Sequence, residues 1–169
     1  MIIMGTRDVN FTFDDGRFNY RVAGLVVNGD RILLQTNPEV DFHNMIGGRV
    51  KLLESTSEAL IRECQEELGF TPTDFSLIRV AESFFEWEGT PVQELVFVYL
   101  IRIDDDHELA KKQDFSNIDK PKEVCHWFRA DELKDINIRP VFIYEYENLD
   151  FSFKHSTEDK KTHKYITGK

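Results

Sequence analysis

Three observations in the sequence predict an α/β fold. Apolar runs rich in β-branched and aromatic residues recur at Tyr20 to Val27, Arg31 to Gln35, Ser76 to Phe84, Val92 to Ile103 and Glu123 to Phe128. A segment with helical period and a stop signal at each end lies between the second and third runs. The chain has 169 residues and 41% hydrophobic content, enough to bury the core of one domain.

The first two runs flank Asn28-Gly29, a strong short hairpin signal, so they read as antiparallel strands that are largely buried. A polar loop from Thr36 to Asn44 leads to Gly47 and Gly48 and then to the helical segment. Ser55 stands three residues before Glu58, the capping-box spacing, which predicts a helix beginning near Thr56. Gly69 suits a left-handed stop at its far end. Runs three and four form a second antiparallel pair, with Glu88-Gly89-Thr90-Pro91 as the expected turn. The polar stretch from Asp104 to Lys122 has no apolar period and is expected to be a mobile loop, either a plain connector or a rim of the substrate mouth. After the fifth run, Asp131 could cap a short helical turn, and Pro140 is placed to start a helix through Tyr146.

Residues 1–150 are therefore expected to form one domain, with 151–169 as a polar, basic and loosely attached tail carrying five lysines against Glu158 and Asp159. Met1 to Asn10 lacks a basic start followed by an apolar stretch, and no run is long enough to span a bilayer. Two cysteines, Cys64 and Cys125, make no disulfide framework, and a cytoplasmic location is expected. A formal charge of −10 argues against nucleic acid as a partner, and no membrane partner is expected. His43, His107, His126, His155 and His163 show no zinc-binding spacing.

On a helix turning about 100° per residue, Glu63, Glu66 and Glu67 share one arc beside the apolar arc of Leu60, Ile61, Cys64 and Leu68. Like charges at these spacings each destabilise a helix by about 0.2–0.5 kcal/mol. Arg62 supplies one cation, but it cannot neutralise three carboxylates together with Glu54 and Glu58. That surplus leaves room for a hard divalent cation, and oxygen-only ligands suit Mg²⁺ or Mn²⁺. The bland alternative is an acidic solvated face, the ordinary reading of a charge run.

The whole pattern decides between them. Gly48, Glu54, Arg62, Glu63, Glu66, Glu67 and Gly69, with a bulky apolar residue at Cys64 and Phe70, resemble the Nudix box of the Nudix hydrolase superfamily. Cys64 replaces the more usual Leu, Ile or Val, and a buried thiol serves there as a small hydrophobe. Ile46 stands where the family commonly has Pro, and Leu53 where a Gly often precedes the first Glu.

This resemblance implies a Nudix-type α/β/α sandwich with a mixed central sheet over roughly Tyr20 to Asn148. It implies Mg²⁺-dependent (or Mn²⁺-dependent) hydrolysis of a diphosphate bond in a nucleoside diphosphate derivative, with water attacking phosphorus. By motif position, Glu63, Glu66 and Glu67 would hold metal, and Arg62 would orient a glutamate, with Glu54 its expected partner. Gly48 and Gly69 are backbone positions, Gly48 standing beside the substrate. An acid outside the box often assists in the family; Glu123 is the first choice, with Glu94 and Glu108 behind it. Arg21 could contact phosphate or base, and Phe84, Phe85 or Trp87 could stack on a base, although aromatics at strand spacing also serve as core.

Sequence markers for ADP-ribose or dinucleoside polyphosphate substrates are absent from Glu82 to Trp87, so the substrate class stays open among nucleotide sugars, nucleoside triphosphates and similar compounds. A monomer or homodimer is expected. The alternative function is a catalytically idle Nudix-like domain that binds nucleotides as a sensor or scaffold. The intact Glu63, Glu66 and Glu67 argue against it.

Overall fold

The computed structural model describes residues 7–158. The reading of Met1 to Asn10 therefore falls mostly, and that of the chain beyond Glu158 entirely, outside the described residues. Along the chain come β1 (Asn10–Phe13), β2 (Gly16–Asn28), β3 (Arg31–Thr36), β4 (His43–Asn44), β5 (Ile46–Arg49), α1 (Thr56–Leu68), β6 (Phe75–Trp87), β7 (Thr90–Arg102), β8 (Asp114–Ser116), β9 (Val124–Arg129) and β10 (Lys154–Glu158). Two 3₁₀ segments, Ala130–Asp135 and Val141–Asn148, lie between β9 and β10.

All ten strands join one mixed sheet, in the order β10-β6-β7-β2-β3-β9-β8, with β1 and β5 paired to β2 and β4 to β3. The long β2 pairs in parallel with β7 from Arg17↔Val92 to Val27↔Arg102 and antiparallel with β3 and β5. Because β2 is covered on both faces, its residues from Val22 to Asn28 are all buried, which explains the unbroken apolar run. Val22 and Val26 face α1, against Ala59, Leu60 and Cys64. Ala23, Leu25 and Val27 face the other way, against Leu133, Phe142, Ile143 and Tyr146 of the 3₁₀ segments. The expected α/β sandwich is present, with one α-helix on one face and 3₁₀ turns on the other.

Helix α1 forms where its local signals place it. Ser55 accepts a hydrogen bond from the Glu58 backbone N–H while Glu58 accepts from Ser55, and Gly69 closes the helix at φ 75°.

Several expectations are corrected. The β6–β7 turn is only Glu88-Gly89, both with positive φ, and Pro91 lies inside β7 opposite Glu86. A proline next to a strand's first residue forfeits little of the ladder. The segment 141–148 is a 3₁₀ helix, and Asp131 lies inside the preceding one, whose first turn is closed by the Arg129 N–H donating to Glu132.

The stretch from Asp104 to Lys122 is anchored rather than loose. Leu109, Ala110 and Asn117 are buried, Trp127 donates to the Leu109 carbonyl at 3.0 Å, and β8 pairs with β9. The start of the expected tail is also tied down: β10 pairs in parallel with β6 from Lys154↔Arg79 to Glu158↔Ser83. Both anchors are long-range contacts, which local polarity does not reveal.

Candidate active site

The loop between β5 and α1 runs against the helix it feeds. Gly47 has φ 140°, and a Cβ there would meet the Val22 carbonyl oxygen at 2.3 Å, so only glycine fits the passage beside β2. At Gly48 a Cβ would lie 2.3 Å from Glu63 Oε1, so the absent side chain makes room for that carboxylate. Gly48 thus shapes the acid cluster.

Arg62 organises the next layer. Its Nε and Nη2 donate to the two oxygens of Glu54 at 2.7 and 3.0 Å, a bidentate fork. Nη1 reaches Glu63 Oε1 at 2.6 Å and Glu66 Oε2 at 3.2 Å, and Nη2 also donates to the Arg49 carbonyl. Burial opposes the charge on Glu54, but the Arg62 hydrogen bond and the Lys51 backbone N–H outweigh it and hold the carboxyl below its usual range. The partner expected for Arg62 is the one it has.

The box glutamates are not equivalent. Glu67 is fully buried; its Oε2 accepts from the Gly47 N–H at 2.9 Å and its Oε1 from the Lys120 ammonium. Glu63 is also buried, and burial pushes its carboxyl above the usual range, opposed by Arg62 and reinforced by Glu67 and Glu66. Glu66 sits on the exposed rim, its side chain 43% accessible. Cys64 packs behind them, its thiol pushed up to about 12, chiefly by burial.

Of the acids outside the motif, Glu123 sits within the field of Glu67 and Lys120. Burial raises its carboxyl, and its Oε2 is buried with no hydrogen-bond partner among the described residues. Glu108 is solvent-exposed beside Lys111 and joins nothing here. Glu94 belongs to the neighbouring cavity, paired with Arg21 at 3.6 Å and Asn19 at 3.4 Å.

Among the described residues, no three acidic, histidine or cysteine side chains already converge as a metal-ligand set. Glu63 and Glu67 instead face Arg62 and Lys120. The buried carboxylates of Glu63 and Glu67 and the unpartnered buried oxygen of Glu123 are the oxygen donors present here, the donor chemistry that suits a hard divalent cation.

On the sheet face that carries Ala23 and Val96 opens a cavity of about 340 Å³, within the range of small-ligand pockets. Arg21 and Phe85 lie on its wall, and so do Phe84 and Trp87. Arg21 links the two regions, since its charge is also felt at Glu123. The sequence did not single out Arg17, Asn19, Asn44 and Arg139 on the same wall, nor Lys120 at the carboxylates. Period-2 spacing from Arg17 through Asn19 to Arg21 was the one signal available, because it puts all three on one face of β2. The amide oxygens of Asn19 and Asn44 are buried without a partner among the described residues.

Comparison with known proteins adds to this geometry. The Escherichia coli (strain K12) 8-oxo-dGTP diphosphatase is 30% identical over a match spanning 41% of this chain and 67% of that protein. The mutator MutT protein from Bacillus halodurans superposes with TM-score 0.63 at 20% identity, over 82% of this chain and 88% of that one. The MutT NUDIX hydrolase from Burkholderia pseudomallei does so with TM-score 0.54 at 26% identity, over 69% and 86%. The NUDIX domain profile matches residues 17–146, from the first turns of β2 to the last 3₁₀ segment. A capped helix carrying two buried glutamates, the Arg62 fork behind them and a profile match over most of the length place this chain in the NUDIX family, as a pyrophosphohydrolase.

Proposed function

We propose that this protein hydrolyses a diphosphate bond in a nucleoside diphosphate derivative with Mg²⁺, or Mn²⁺ in its place, held by Glu63, Glu66, Glu67 and Glu123. The observation that carries this reading is that Arg21 of β2 bridges two unlike surfaces. It pairs with Arg49, next to Gly48, and its charge is felt at Glu123, while it also lines a cavity whose wall combines guanidinium groups with aromatic rings. Such a pairing suits a ligand with a charged phosphate end and a flat base.

A bound divalent cation supplies neutralisation of the charge that develops on the phosphoryl oxygens. The chain's own residues do the rest. Gly48 and Arg62 hold Glu63 in place, and Arg62 keeps Glu54 ionised. Arg21 can turn its guanidinium from Glu94 to a phosphate oxygen, and Phe85 and Trp87 offer ring faces to a base. Glu123 would assist as a ligand or take the proton of the attacking water, a role supported by its unpartnered oxygen and raised carboxyl. The substrate class is drawn from nucleoside triphosphates and nucleotide sugars, and the name of the Escherichia coli relative puts oxidised purine nucleoside triphosphates first in a panel.

The test is phosphate-product analysis with Mg²⁺ across nucleoside triphosphates, oxidised purine triphosphates, nucleotide sugars, ADP-ribose and dinucleoside polyphosphates, run beside Glu67→Gln. The expected result is turnover on one class that falls about 10³-fold in the variant, the several kcal/mol that charge stabilisation by a metal contributes. No turnover on any class, with nucleotide binding retained, would replace this reading with the sensor one.

A further inference from the structure

Lys120 lies outside the Nudix box, yet its ammonium is bonded to the most buried carboxylate of the motif, Glu67. The backbone around it is fixed. Asn117 is fully buried and donates to Gln35 at 3.0 Å, its Oδ1 accepts from the Lys120 N–H at 2.9 Å, and the Ile118 N–H donates to the Glu67 carbonyl of α1 at 2.9 Å. The Asn117 N–H and the Glu123 carbonyl close the turn at 2.9 Å. From this fixed base the Lys120 side chain reaches in from the surface, 40% accessible, while Glu67 at its tip is 0% accessible. A lysine held this way can withdraw by changing rotamer, with no movement of the main chain.

The ammonium occupies the ground where positive charge is most needed. Glu67, Glu123 and Glu63 all act on it, and its own charge is felt at Glu123. A buried carboxylate without a cation is strongly disfavoured, so Glu67 requires one whenever metal is absent. A divalent ion using the same Glu67 oxygen would meet the ammonium at contact distance, and two cations cannot share that position. Arg62 is different, because its fork serves Glu54 and the Arg49 carbonyl as well as Glu63, and it can stay when metal arrives.

We propose that the Lys120 ammonium is a built-in occupant of the divalent-cation position, held by Glu67 until metal displaces it. The protein's affinity for metal is then set by competition with its own side chain. The displaced ammonium remains tethered at the rim of the cluster, where a substrate phosphate would enter. This inference rests on the reading of Glu67 as a metal ligand.

The test is Mn²⁺ titration of the full chain without substrate, read from the electron paramagnetic resonance signal of free Mn²⁺, for wild type, Lys120→Met, Lys120→Gln and Lys120→Arg. Removal of the competing charge should tighten Mn²⁺ binding about tenfold in the Met and Gln variants, the worth of one ordinary ion pair, while Arg stays near wild type. The same two variants should melt lower than wild type without Mn²⁺ and recover with it. Having both guards against one of them failing to fold. Binding that is unchanged or weaker in the Met and Gln variants overturns the proposal and leaves the metal reading intact. No Mn²⁺ binding in any of the four, wild type included, overturns both.

Discussion

Two arginines organise opposite faces of the same sheet. On the α1 face, Arg62 meets three carboxylates, those of Glu54, Glu63 and Glu66. On the other face, Arg79 of β6 is 1% exposed and meets one, Glu145, at 2.6 Å; its other contacts are the Tyr146 hydroxyl at 3.1 Å, Ser156 at 2.9 Å and the rings of Phe142 and Tyr146. Around Arg79 there is no surplus of anions, since Glu145 is shared with Lys154 at 3.2 Å, and each guanidinium nitrogen is engaged, joining β6 to the last 3₁₀ segment and β10. Around Arg62 negative charge is in excess. A guanidinium without an anionic surplus around it is a fastener, whereas one in anionic surplus marks a place that still calls for positive charge.

The sharpest way to break this contrast is Arg79→Ala. Loss of its charge-assisted hydrogen bonds and ring contacts should cost about 3 kcal/mol, lowering the melting temperature by about 6–12 °C for a chain of this size. The turnover number of the folded fraction should stay within about twofold of wild type. A catalytic loss larger than the loss of folded protein would show that the Arg79 face takes part in turnover.

The complementary variant is Arg62→Lys, which keeps the charge and loses the fork. Turnover should fall by about 10–100-fold, the usual effect of removing an orienting group behind a metal ligand, with the melting temperature within about 3 °C. A large drop in melting temperature with unimpaired turnover would make Arg62 a second fastener and erase the distinction.

The smallest effect concerns Glu145. Burial alone would raise its carboxyl, but Arg79 and Lys154 outweigh it and hold it below the ordinary carboxylate value. A depressed folded value contributes stability that is present above the unfolded value and lost as pH falls through the folded one. Melting temperature followed from pH 7 into the acid range should fall less steeply in Glu145→Gln than in wild type. Parallel curves would mean that Arg79 is held by its other partners alone.

The α1 side was more legible in the sequence than the Arg79 side, for a physical reason. Ser55, Glu58 and Gly69 act on neighbours within a turn, and the 3.6-residue period by itself places Glu63 and Glu67 beside Leu60, Cys64 and Leu68. Arg62 and Glu54 are close enough in sequence for their partnership to be read from the motif. Arg79 gave no such signal, because its partners are 66 to 77 residues away. The same holds for Lys120, which lies 53 residues from Glu67 in a stretch whose polarity reads as a connector. The cavity was half legible: the alternation along β2 put Arg21 on a wall with Arg17 and Asn19, but Asn44 and Arg139 arrive there through strand pairing and a later turn.

The parallel strand β10 lies just past the region that defines the family, which ends at 146. It is the outermost strand on its side of the sheet and covers the ladder of β6 from Arg79 to Ser83. A chain ended at Asn148 would keep every box residue and still present that row of unpaired amides and carbonyls to solvent, an open template onto which another molecule's strand can add. The few residues after the family region therefore cover that row with a short polar strand, Lys154–Glu158, which becomes the edge of the sheet in its place.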